Sequence, residues 1–405
     1  MRTLALLFPL FLVAPGLAQG STPGFSLAPK ASFMIINSVT SVPGQDIRSV
    51  HHVQLPGDVP GTWTTALSVG SLENWFGGDG KSSGLVLGLF DPGKGTFVVN
   101  QEAKALNSSA DESNFYLDAK GLWAIFRSGN SIMLASRAKV GTAFGKPVAV
   151  TGFGALQDPS PSLARVGGQD VCFYSDGTSI LSAPIDLKNA KVDLTKATLV
   201  SHVVQKGARP FAPTPLIGAD GDCEGVLFSE EVSITDSDLV WAGDLDPTTP
   251  ALLFMQRPDY TNNASPAGGY ISWAHRDLPK LPWHLMHSEA AWLLGDIEAP
   301  GGLMDITLAA VTPAPSQVAS FVFGSTNLWQ AVPVSGFGGT LGINPLTMVL
   351  LGFALHTDQG GLTQLSITVP NQPALKGVVV QIQAVAVNST NKSFTLGSTS
   401  HLQIK

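Results

Sequence analysis

One short motif recurs along this 405-residue chain and limits what it can fold into. Five apolar segments align without gaps: Leu85–Asp91, Ile132–Ala138, Ile180–Asp186, Leu239–Leu245 and Trp292–Glu298. Their fourth position is always small, at Gly88, Ala135, Ala183, Ala242 and Gly295, spaced 47, 48, 59 and 53 residues apart. A small residue inside a strand lets a neighbouring backbone or a large side chain approach closely. An apolar strand precedes each segment, around Trp75 and at Trp123–Phe126, Val171–Tyr174, Val226–Phe228 and Trp283–Met286. Another follows, at Phe97–Val99, Pro147–Val150, Thr198–Val200, Leu252–Phe254 and Ile306–Ala309. Turn residues fill the gaps, with AspProGly at 91–93, SerGlyAsn at 128–130 and AspGly at 176–177.

Units of roughly 40–50 residues built from strands and turns are the mark of propeller blades. The pattern predicts an all-β chain: a five-bladed β-propeller, or six-bladed with one irregular blade, followed by a small β-sandwich. An ordinary sandwich with evenly spaced strands is the alternative, but it needs no recurring small residue. Charged residues are only 13% of the chain, with 43 Gly and 28 Pro, which suits many short strands and turns rather than helices or disorder. A net charge of −7 and the lack of a Lys/Arg cluster exclude a nucleic-acid footprint.

The N-terminus reads as a secretion signal over residues 1–18. Arg2 supplies the positive region, Leu4–Val13 the apolar core, and Gly16-Leu17-Ala18 the small residues before cleavage. Pro15 and Gly16 stop the run short of the length a membrane span needs, and no later stretch reaches it. The mature protein is expected to be secreted, periplasmic or on the cell surface. Residues 19–44 read as a leader with a strand near SFMIIN that closes the ring on the last blade. The propeller is placed at 45–311, a Pro-containing linker at 312–317 and the sandwich at 318–405. That last stretch carries only Asp358, Lys376, Lys392 and Lys405 as charges. Within it, Gln381 and Gln383 alternate with Val380, Ile382 and Ala384, the period of a strand. The polar, Gly/Pro-rich run 259–269 reads as an exposed loop.

Asp118–Ala138 and Val166–Ile185 (VGGQDVCFYSDGTSILSAPI) resemble the TolB-type, WD40-like propeller repeat of exported proteins: a turn, a strand ending in an aromatic, a Ser/Gly turn, and a strand with a small residue. The tail from Gly338, with its Asn371–Gly377 step into a Gln-Ala strand, resembles the C-terminal sandwich of secreted planctomycete-type proteins. Both resemblances imply an exported protein with an accessory domain. Neither carries catalytic residues over.

Propellers bind ligands at the axis, through residues at the start of each innermost strand. Those starts are polar here: His51 and His52, Asp111 and Glu112, Asp158, Arg209 and His275. Such a ring suits a sugar or a carboxylated ligand; the same residues equally cap turns and strand ends. Five-bladed propellers also include glycosidases of the arabinanase and levansucrase type. Those need two carboxylates about 5–9.5 Å apart, and Asp111, Asp158 and Glu230 are the candidates. Asp220, Asp222, Glu224 and Glu231 resemble a calcium loop in their alternating oxygens, although Glu224 stands where Asp or Asn is usual and a strand follows; no other cofactor is implied. Cys172 and Cys223 fit an oxidising compartment, either as a disulfide between neighbouring blades or as two buried thiols. Of the aromatics, Trp63, Trp75, Trp241, Trp273 and Trp283 suit packing between blades, while Tyr260 and Tyr270, flanking the expected loop, are the sugar-stacking candidates. The expected function is that of a binding or scaffold protein whose partner is a carbohydrate or another protein. An extracellular glycoside hydrolase is the alternative.

Overall fold

The computed structural model describes residues 32–33, 35–36 and 46–404, apart from 60, 72–77, 80, 93, 155, 157–158, 219–220, 234–235, 243–244, 249–250, 256–259, 268–269, 277–283, 290–291, 298, 311–317, 328–331, 334–339, 357–361 and 390–391. Its regular elements are strands and three short 3-10 turns. Two short strands, β1 (Ser32–Phe33) and β2 (Ile35–Ile36), come first. Then β3 (Ile47–Val53), β4 (Trp63–Val69), β5 (Gly84–Asp91) and β6 (Thr96–Asn100) form an antiparallel meander. A second meander holds β7 (Glu112–Leu117), β8 (Trp123–Ser128), β9 (Ser131–Ser136) and β10 (Val148–Ala149). The third holds β11 (Ser162–Val166), β12 (Gln169–Ser175) and β13 (Ser179–Asp186), with β14 (Lys191–Val192) and β15 (Thr198–His202) both on β13. The fourth holds β16 (Arg209–Ile217), β17 (Cys223–Ser233), β18 (Asp236–Ala242) and β19 (Leu252–Met255). The fifth holds β20 (Tyr260–Ala267), β21 (Tyr270–Arg276) and β22 (His284–Glu289), joined to the fourth through one parallel pair, Ser237 with Tyr260.

The first strands of these sheets pack in a closed cycle: β3 on β7, β7 on β11, β11 on β16, β16 on β20, and β20 back on β3. Five sheets therefore fan around one axis, as a five-bladed propeller. Near-continuous apolar strands suit this arrangement, because each blade hides both faces on its neighbours. In β7 and β8, Phe115, Leu117, Ala124 and Phe126 face blade 1, whereas Tyr116 and Ile125 pack with blade 3. Blade 3 divides the same way, with Cys172 and Tyr174 toward blade 2 and Val171 and Phe173 toward blade 4.

The recurring small residue has its expected cause. A Cβ on Gly88 would stand 2.7 Å from Cζ of Phe97 and against the Val98 carbonyl. Ala135, Ala183 and Ala242 are buried at the interfaces between blades. Ring closure uses the N-terminus, as the SFMIIN strand suggested. Ser32 and Phe33 pair with His287 and Met286 as the outermost strand of blade 5, and Ile35 and Ile36 pair with Thr96 and Phe97 of blade 1.

Three expectations need correction. The fifth aligned segment is not in the ring: β23 (Trp292–Ile297) pairs with β24 (Leu303–Ala309), which pairs with the later strand Leu362–Thr368. Blade 5 instead takes β22 as its third strand, so its length was misread by one strand. In the first unit, the second strand is β4, and Trp75 lies outside the described residues. The run 259–269 is no exposed loop. Most of it is β20, the axial strand of blade 5, with Asn263, Ala264, Ser265 and Ala267 buried. Strands at a propeller axis are crowded by four others, which favours the small and polar residues that elsewhere mark loops.

After the ring the chain adds β25 (Val318–Ser325), β26 (Val332–Pro333), β27 (Thr340–Leu341), β28 (Val349–His356), β29 (Leu362–Thr368), β30 (Val379–Asn388) and β31 (Ser393–Gln403). One sheet runs β23-β24-β29 and the other β28-β25-β30-β31. Leu293, Met304, Ile306 and Leu308 of the first share a core with Val322, Ile382, Ala384 and Leu402 of the second.

Candidate functional site

The starts of β3, β7, β11, β16 and β20 lie at one end of the ring, its mouth. Four blades carry a left-handed residue there: Asn114 (φ 52°), Ser160 (φ 43°), Ala212 (φ 50°) and Asn263 (φ 48°). In β7, β16 and β20 this residue sits at a register shift, where a bulge turns the strand. Asn tolerates the left-handed region through local hydrogen bonding; Ser160 and Ala212 are each followed by Pro. Two of the four clasp a neighbour: Asn114 Nδ2 donates to Ser160 Oγ at 3.1 Å, and Asn263 Nδ2 to the Arg48 carbonyl at 3.1 Å.

Two residues beyond each bulge lies a buried hydroxyl: Tyr116, Ser162, Thr214 and Ser265. Tyr116 donates to Asn263 Oδ1 at 3.1 Å, joining blade 2 to blade 5. Burial raises its phenol well above the usual tyrosine range, so it stays protonated. His51 lies against it, ring centroids 5.1 Å apart. His51 Nε2 sits 3.1 Å from the Leu117 carbonyl, which can only accept, so Nε2 carries the proton and Nδ1 is bare. Burial pushes this imidazole down to about 4, with the Leu117 hydrogen bond opposing. At this level Tyr116, Asn263 and His51 are all buried, and the Tyr116–Asn263 bond crosses between blades 2 and 5.

His52 points the other way. Its Nδ1 meets Thr65 Oγ1 at 2.6 Å, its Nε2 meets Ser272 Oγ at 2.8 Å, and its ring stacks on Phe90. Its backbone N–H donates to Ser265. It therefore staples blade 1 to blade 5. Neither histidine begins the innermost strand as the spacing suggested; both lie well inside β3.

The carboxylates of the mouth hold chain segments. Asp111 Oδ1 accepts from the Ser83 N–H and hydroxyl at 2.9 and 3.0 Å, bonds that draw it below the usual carboxylate range. Glu112, fully buried, accepts from Ser108 and Ser128. Glu230 accepts from the backbone N–H groups of Val204 and Gln205 at 2.5 and 3.1 Å. It lies directly opposite Asp238, which accepts from Gln205 Nε2 at 2.7 Å. Burial raises Glu230 above the usual range, and the Asp238 charge adds to the shift. Arg209 is exposed and pairs with Glu231 at 2.5 Å. His275 is buried in β21, opposite Thr261 and His284. Tyr260 and Tyr270 occupy opposite ends of the β20–β21 hairpin. Asp158 lies outside the described residues.

Two groupings read from the sequence are not formed. Asp222 and Glu231 stand at opposite ends of β17, and nine residues of strand span roughly 30 Å. Asp222 lies 3.8 Å from Arg165 and accepts from the Gly168 N–H, whereas Glu231 belongs to Arg209. With Glu224 packed against Gly218 and Asp220 outside the described residues, the four do not make one calcium site. The cysteines are free thiols. Cys172 packs between blades 2 and 3, Cys223 between blades 3 and 4, so the body of blade 3 separates them.

The residues that bridge the axis, Tyr116 and Asn263, were missed. A signal existed: Asn114-Phe-Tyr116, Ser160-Pro-Ser162, Ala212-Pro-Thr214 and Asn263-Ala-Ser265 recur at intervals of 46, 52 and 51 residues.

No protein-family model matches the chain, and no curated protein matches it in sequence. Among solved structures, it is similar to an endo-1,5-α-L-arabinanase from Thermotoga petrophila, at 9% identity and a TM-score of 0.36, covering 84% of this chain and 100% of that one. A candidate 6-phosphogluconolactonase from Bacteroides uniformis gives 14% identity and a TM-score of 0.27, covering 84% and 97%. Likenesses this loose say nothing about chemistry in this chain.

Proposed function

We propose that this is an exported binding protein that presents the mouth of its ring to a polar partner, a carbohydrate or another protein. The bridge from Tyr116 to Asn263 carries this reading, because it favours contact across the face over entry into the axis. The exposed chemistry at the mouth includes two ion pairs, Arg48 with Asp46 at 2.6 Å and Arg209 with Glu231. Paired cations and anions of this kind suit hydroxyl-rich or mixed-charge surfaces. Export follows from Arg2, Leu4–Val13 and the small residues ending at Ala18; N-terminal sequencing of the protein made by its own host tests it. Binding is tested on a glycan array and by affinity capture, with Arg48→Ala/Arg209→Ala as the control. Loss of hits in the double variant supports the reading, and hits unaffected by it refute it.

A second reading, a glycoside hydrolase, is favoured by Glu230 facing Asp238, a pair of carboxyl groups in which burial raises Glu230 above the usual range. Release of reducing sugar from polysaccharides by the wild type and not by Glu230→Gln would support it. The same release from both would remove it.

A further inference from the structure

The C-terminal unit has a second apolar face. In the sheet β28-β25-β30-β31, Val322, Ile382 and Ala384 point into the shared core. Period-two alternation sends their neighbours to the other side, where Gln381 and Gln383 are buried, Gln383 accepting from the Gly342 N–H, and the rest of the row is apolar. There, Phe321 lies between Phe353 and Val385, and Ala319 between Leu355 and Val387. Phe323 sits beside Leu350, and Val387 beside Phe394. Phe321 and Phe353 stack with ring centroids 5.8 Å apart. Leu350, Phe353 and Leu355 are 55, 58 and 60% exposed, and Phe394 is 40% exposed. Val349 and Leu346, at the head of β28, are 58 and 79% exposed. The side chains named on this face carry no charge.

We propose that this outer face is where two copies of the chain pair, face to face about a two-fold axis. Three observations point to a second copy. First, six large side chains exposed to this degree offer on the order of 600 Å² per copy. Pairing two such faces buries about 1,200 Å², the area at which specific interfaces begin. Solitary chains rarely leave an apolar patch above a few hundred Å² in water. Second, the charge is divided unevenly. The chain has 23 basic and 30 acidic residues, and residues 292–405, which form this unit, hold three lysines against Asp296, Glu298, Asp305 and Asp358, so this unit is −1 and the remainder −6. Copies that met through the ring would repel; copies that meet through this uncharged face keep their acidic bodies apart. Third, a two-fold contact needs a patch that complements itself. Stacked phenyl rings flanked by Leu and Val do so in either orientation.

Sedimentation velocity of the mature full-length chain tests this. The wild type should sediment as a dimer at micromolar concentration. Phe353→Glu/Leu355→Lys should sediment as a monomer with an unchanged melting midpoint, while Val98→Lys, at an exposed position of the ring, should stay dimeric. Hydrogen exchange reads the same face without substitution, and amides of 349–356 should become more protected as the wild type is concentrated. A wild type that stays monomeric, or a dimer that survives the double substitution, overturns the proposal. So does a monomer that floats with phospholipid vesicles, which would give the face to a lipid surface.

Discussion

Replacing His51 by glutamine should remove a fixed part of the protein's acid sensitivity. The imidazole is buried, with its Nε2 proton given to the Leu117 carbonyl, and burial holds it at about 4. In the unfolded chain the same group titrates near 6.5. Above that value both states are neutral and the full stability is present. As pH falls, the unfolded state takes up a proton that the folded state refuses, so stability drops until the pH passes the folded value. At 1.36 kcal/mol per unit, the drop is about 3 kcal/mol between pH 6.5 and 4. Glutamine can still donate to Leu117 and does not titrate. Urea unfolding of both proteins at several pH values from 7 to 4 isolates the effect, because the other titrating groups cancel in the difference. The gap between the two curves should change by about 3 kcal/mol across that range. Parallel curves would mean that His51 is solvated, and its buried placement would be wrong.

Other consequences can be read the same way. Arg137, whose side chain is buried, donates to Glu102 and to the Gly121 carbonyl and lies over the Phe144 ring. Arg137→Met should cost about 3 kcal/mol in urea unfolding at pH 7. Gly88→Val drives a side chain into Phe97 and should cost about 1–3 kcal/mol by the same assay. Burial pushes the Cys223 thiol up to about 12 and raises Cys172 further, so neither should react with a thiol reagent until the protein unfolds. The intact mass should not change on reduction.

The repeat was legible because its cause is local. Gly88, Ala135, Ala183 and Ala242 must be small because their strands are closely packed, and that constraint appears at one position in each of the first four blades. Turn residues and the closing strand at Ser32–Phe33 were legible for the same reason. The axis was not. Asn263 and Ser265 look like loop residues in sequence, and only their crowding by four other strands makes them axial. Glu230 and Asp111 were catalytic candidates because they are acids near strand ends in different units. Their partners, Val204, Gln205 and Ser83, come from other turns and strands that only the fold brings near. The cysteines stayed open between a disulfide and two buried thiols because alternation along β12 decides which blade a side chain meets. A shift of one residue would have reversed it.

The most direct test of the ring is a double-mutant cycle between Tyr116 and Asn263, which are 147 residues apart and lie in different blades. Tyr116→Phe removes the donor, and Asn263→Gly removes the acceptor while keeping the left-handed backbone. Unfolding free energies of the four proteins should show a coupling of about 1 kcal/mol across the axis. Additive effects would contradict a bridged axis and the face-binding account built on it.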